Sequence, residues 1–191
     1  MILDKCIAAV RGRLYEGQKV THMAFSDDDM QQALAMLHTR PDVSVAALLV
    51  LSQDAAFRHH ALLATYAGSL AGVLGNAALS MDVRINAVTV LTTVLMVPDV
   101  ATQTDARVRA IEGGCVHSIL SMLNEPSLSP TQLCQVFILV YALSHGCPVT
   151  SDVLRSMGVS VAIHHVLCAR YMDAYVRGQA QIAMVTVEAT K

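Results

Sequence analysis

A segment that recurs in register along the chain constrains the fold more than any other feature of these 191 residues. Pro41-Asp-Val-Ser-Val-Ala-Ala-Leu-Leu-Val-Leu51 returns as Met81-Asp-Val-Arg-Ile-Asn-Ala-Val-Thr-Val-Leu91. Asp42 matches Asp82, Val43 matches Val83, Ala47 matches Ala87, and Val50-Leu51 matches Val90-Leu91. The frame appears again over 175–185, where Val176, Arg177 and Ala180 take the places of Val83, Arg84 and Ala87. Self-similarity at a fixed period marks stacked units, none of which can bury its apolar face alone.

A second register lies between these copies. Ala67-Gly68, Gly113-Gly114 and Met157-Gly158 each end one helical pattern and open another. After each glycine the apolar residues fall into columns: Val73, Ile119 and Ile163 in one, Ala77, Leu123 and Leu167 in the next. Glycine supplies a tight turn there and lets two helix ends approach. Each unit reads as a short first helix, a second helix opened by the glycine, and a longer third helix. The third helices are expected over 41–52, 81–96, 129–145 and 172–190. All five prolines, Pro41, Pro98, Pro126, Pro130 and Pro148, fall at the junctions, where a missing amide is harmless. Ser26, followed by Asp27, Asp28 and Asp29, should cap a helix over 27–38, with its acids at the positive end of the helix dipole.

Composition agrees with helix. The chain is 54% hydrophobic but only 4% aromatic, with no Trp and ten Met. Small and straight-chain apolar residues suit thin, closely packed helical layers, whereas a β-sandwich wants rings and more frequent turns. Two stretches with almost no charge, 61–81 and 126–151, are broken by glycines or polar residues and fall short of the about twenty apolar residues of a membrane span. Most methionines should be core, Met30, Met36, Met122, Met157 and Met184 among them. Met81 and Met172 are expected at the surface.

The spacing of corresponding positions, about 40 to 50 residues, is that of armadillo and HEAT units. The segment Val108-Arg-Ala-Ile-Glu-Gly-Gly-Cys-Val-His-Ser-Ile-Leu-Ser-Met-Leu123 resembles the start of an armadillo repeat: an acid, small residues with glycine, then an apolar helix. The likeness covers residues 54–190 well and 1–53 loosely. It implies an all-α, right-handed α-solenoid of about four armadillo-like three-helix repeats, near 1–52, 53–97, 98–146 and 147–191, forming a single domain. Members of the family that hold extended peptides, such as the nuclear-import adaptors, carry an Asn late in the third helix. The aligned places here hold Gln53, Thr93, Ala142 and Thr186, so that mode of peptide capture is not carried over.

The formal net charge is −2 and, beyond the capping acids Asp27, Asp28 and Asp29, no block of like charge occurs. The electrostatic footprint of nucleic-acid binding, and the polybasic run that would hold an anionic membrane, are both missing. Five cysteines, Cys6, Cys115, Cys134, Cys147 and Cys168, form no CxxC pair and sit mostly in apolar stretches, as reduced buried thiols do. Residues 1–11 carry Asp4 and Lys5 where a signal peptide needs an unbroken apolar core. A cytoplasmic protein is expected, with the nucleus as the alternative.

No pattern in the chain calls for an active site, a metal or a cofactor. His164 and Cys168 share a helix face but lack third and fourth ligands, and His164 aligns with Leu74 and Leu120 on the packing face. Arg58-His59-His60 reads as a solvated face. Cys115 and His117, two apart on a helix, point away from each other. Asp27, Asp28 and Asp29 serve capping. No GxSxG, phosphate loop or HExxH occurs.

The expected function is therefore that of a non-enzymatic scaffold or adaptor, taking a protein or peptide on the concave side lined by third helices. The alternatives are a structural segment of a larger solenoid or homo-oligomer, then a helical-repeat enzyme. Arg84 and Arg177 hold equivalent places and should anchor an acidic or mixed peptide through their planar forks. Gln135, Gln179 and Gln181 would add amide hydrogen bonds. Ile182 and Val185 share a face of the last helix that lacks a neighbour, which points to self-association, or docking of another domain, through that helix.

Overall fold

The computed structural model describes residues 26–52, 65–96 and 99–189. Among them it holds ten helices and no strand: α1 Asp27–Ala35, α2 Pro41–Leu51, α3 Ala67–Gly75, α4 Met81–Leu95, α5 Val100–Glu112, α6 Cys115–Leu123, α7 Pro130–Ser144, α8 Pro148–Ser156, α9 Val159–Ala169 and α10 Ala174–Glu188. The all-helical expectation holds, and the starts of the helices show why. Ser26 and Asp29 form a reciprocal capping box, as do Ser129 and Gln132; Ser80, Asp99 and Asp173 each accept from the backbone amide three residues on. Pro41, Pro130 and Pro148 stand at the first helical position, where no amide is needed. These caps and prolines place α2, α4, α7 and α10, the helices expected as third helices, within about two residues of their expected starts.

The helices pack in ordered rows. Each third helix packs on the next: α2 on α4, α4 on α7, and α7 on α10. Behind them α3 packs on α6 and α6 on α9, while α5 lies against α3. The core runs through all of these and consists mainly of Leu, Val and Ala, with Phe137 its largest fully buried side chain. Ile119 and Ile163 are fully buried and Val73 nearly so, so their column does face the core.

The glycine junctions divide into two kinds. Gly114 and Gly158 take φ of 85° and 75° and open α6 and α9 in the left-handed conformation that side chains resist. Gly68 instead lies inside the first turn of α3, and its job is proximity. A Cβ on Gly113 would fall on the Gly68 backbone, closer than real Cβ atoms come to anything. The two backbones therefore touch where α3 meets the end of α5.

Several expectations shift. Met172, in the segment that leads into α10, is buried and joins the core, and Met157, just past the end of α8, is exposed. His164 is exposed rather than on the packing face of α9. The first helix ends at Ala35, and 36–39 turn toward α2. Arg58-His59-His60, Cys6 and Gln53 lie outside the described residues.

Candidate functional site

Helices α2, α4, α7 and α10 pack one on the next, so residues at the same place in each can be compared along the row. At the fourth place stand Ser44, Arg84, Leu133 and Arg177. Ser44 and Arg84 are buried and point into the fold. The Ser44 hydroxyl donates to the carbonyl of Ala33 at 2.6 Å, and Arg84 Nε donates to that of Leu74 at 2.7 Å. Both carbonyls sit in the last turn of the preceding helix, where backbone acceptors lack intrahelical partners. Arg84 is thus a cap, 8% exposed, while Arg177 at the same place in α10 is exposed. The register equates the two arginines; their surroundings do not.

Arginine serves the same end elsewhere. Arg107 on α5, 2% exposed, donates from Nε to Ala142 at 2.8 Å. It completes the end of α7: the Tyr141 carbonyl takes the His145 amide, Leu143 takes the Thr150 hydroxyl and Ser144 takes the Ser151 hydroxyl. Burial pulls the guanidinium pKa below its ordinary value, and the neighbouring Cys147 thiol acts the other way. For Cys147 burial pushes the thiol up, but hydrogen bonds with Thr150 and the charge of Arg107 outweigh it and hold the thiol below its ordinary value. Arg155 on α8 reaches Val187 at the end of α10 with Nη2 at 2.7 Å. Arg170 donates to Glu125 and Leu128 carbonyls in the α6–α7 connection, at 2.6 and 3.1 Å. These side chains are spent on the fold.

At the sixth place the line reads Ala46, Asn86, Gln135, Gln179. Ala46 is exposed and the three amides are half-exposed. None of the three amides has a side-chain hydrogen bond among the described residues. Four threonine hydroxyls on the same helices are committed: Thr89, Thr92, Thr93 and Thr186 each donate to the carbonyl four residues back. A primary amide offers two donors and an acceptor, so this line presents both kinds of group at helix-to-helix spacing, about 8–10 Å. Gln181 is exposed on α10 but lies off the line. Asn86 was legible from sequence as the counterpart of Gln135 and Gln179 once the helix starts are aligned.

Charge along the row is uneven. Asp42 and Asp82, both exposed, stand in the first turns of α2 and α4, whereas the exposed Arg177 stands on α10. Other chemistry is sparse. His164 Nε2 lies 3.7 Å from Cys168 Sγ on the exposed face of α9. Among the described residues no three metal-ligating side chains converge, and no helix is long and apolar enough to cross a membrane. Cys115, enclosed in the core, has its thiol pushed up to about 12 by burial, which leaves it without thiolate reactivity.

No family model, curated protein or solved structure matches the chain.

Proposed function

We propose that this chain is an armadillo-like repeat scaffold that binds a protein or peptide across its row of third helices. The observation that carries the proposal is the line Asn86, Gln135 and Gln179, half-exposed and without hydrogen-bond partners among the described residues. Polar groups left free at equivalent places on successive helices suit a partner that crosses those helices and is met by the same group in each unit. In this reading Arg177 supplies a charged anchor at one end, with Gln181 beside it, while Asp42 and Asp82 lie toward the other. The partner is then one of mixed charge, its acidic part over α10. Arg84 acts from behind, holding α3 to α4, and its role in binding is to keep the row in register. The repeats continue the three-helix pattern of 98–146 and 147–191, with a concave side on the third helices. The chain works in the cytoplasm or nucleus and performs no chemistry of its own.

Site-specific photo-crosslinking tests this. A photoreactive residue in place of Gln135 should capture a defined protein that purifies with the chain. The same residue in place of the exposed His165 on α9 should not. Capture from position 165 and none from position 135 would move the binding surface to the opposite side.

A further inference from the structure

Helix α10 carries an exposed apolar face of which the scaffold proposal uses only the bordering Arg177. Helices α4 and α7 are each flanked by two third helices, whereas α10 packs on α7, α8 and α9. Along α10, Tyr175, Gly178, Ile182 and Val185 follow at steps of three and four and so share one face. Tyr175, Ile182 and Val185 are 65%, 46% and 66% exposed. Contiguous apolar surface of this kind marks an interface.

Two further features say what covers it. Gly178 lies in the interior of α10, where glycine weakens a helix. A Cβ there would meet nothing within 4 Å, so packing inside the chain gives no reason for it. Close approach of a second backbone does. Arg177 and Glu188 are eleven residues apart, about three turns, and line the same edge of the stripe. Both are exposed; Arg177 has no ion-pair partner among the described residues, and Glu188 has only Arg155 at 3.6 Å. An antiparallel α10 pair that sets Arg177 against Glu188 of the other copy brings the two Ile182 side chains to within one residue of each other. It forms the same charge pair twice. We infer that a second copy of this chain docks antiparallel on α10 across a two-fold axis, with Gly178 admitting the close approach and Arg177–Glu188 pairs fixing the register. Such a contact is isologous and closes at two copies.

Sedimentation across the micromolar range reads this on the chain alone, with no other partner present, so its outcome is independent of the amide line. Wild type should pass from monomer to dimer as concentration rises. Arg177→Glu and Glu188→Arg should each weaken the dimer about tenfold or more, since each sets like charges face to face. An equimolar mixture of the two variants should regain wild-type affinity, because both cross-contacts are then complementary. Gly178→Leu should abolish association while the melting midpoint holds or rises, which separates lost docking from lost folding. A wild-type monomer at every concentration overturns the inference. So does a dimer indifferent to the single reversals, or a mixture that fails to recover.

Discussion

Replacing Arg107 by Met should destabilise the chain far more than replacing its neighbour two residues on, Arg109, by Ala. Met keeps the apolar stem and approximate length but removes the donor. The bond from Arg107 Nε to Ala142 spans 35 residues and joins α5 to the end of α7. A hydrogen bond from a charged donor contributes about 1.5–3 kcal/mol, and the orphaned carbonyl adds a desolvation penalty. Relief from burying the guanidinium offsets part of this, the same burial that pulls its pKa down. The net loss expected is about 1–3 kcal/mol. At about 2–4 °C per kcal/mol for a chain of this size, the midpoint should fall by about 2–12 °C. Arg109 is the control: it is exposed, paired with Asp105 four residues back, and should leave the midpoint unchanged as Ala. Thermal melts followed by far-UV circular dichroism decide it. Equal midpoints for wild type and Arg107→Met would refute the assignment of Arg107 as the cap of α7.

Three further outcomes follow from the same contacts. Gly113→Ala puts a methyl group against the Gly68 backbone and should cost about 1–3 kcal/mol by forcing α3 and α5 apart, seen as a lower denaturant midpoint. Hydrogen bonds from Thr102 hold the Asp99 carboxyl below its ordinary 3.8; its folded pKa lies under its unfolded one, so the cap stabilises fully above that value and is lost as pH falls through the folded pKa. The stability gap between wild type and Asp99→Ala should therefore be constant near neutrality and close in strong acid. Gly178→Ala, in open space mid-helix, should raise stability by about 0.5–1 kcal/mol, read as a higher midpoint.

The third helices were legible because their start signals are local: Ser80, Ser129, Pro41 and Pro130 act on amides within the next turn, and spacing alone locates them. The buried arginines were not. Arg84 and Arg107 look like any surface charge in sequence, and nothing local says that the open carbonyls of Leu74 and Ala142 lie within reach. The Arg84–Arg177 equivalence shows the limit: period places both at the fourth residue of a helix, but only packing against Leu74 separates a cap from an exposed side chain. His164 failed similarly: its column is buried at Leu74, half-buried at Leu120 and exposed at His164. The amide line was half-visible, with Gln135 and Gln179 picked out by residue type and Asn86 passed over.

Calorimetric titration of the crosslinked partner, purified, against wild type and the triple variant Asn86→Ala/Gln135→Ala/Gln179→Ala tests the scaffold reading most directly. None of the three amides bonds within the described chain, so the variant should melt as wild type. If each amide makes one hydrogen bond to the partner at about 0.5–1.5 kcal/mol, affinity should fall about tenfold to a thousandfold. Unchanged affinity in the triple variant would contradict the claim that the partner lies across the third helices.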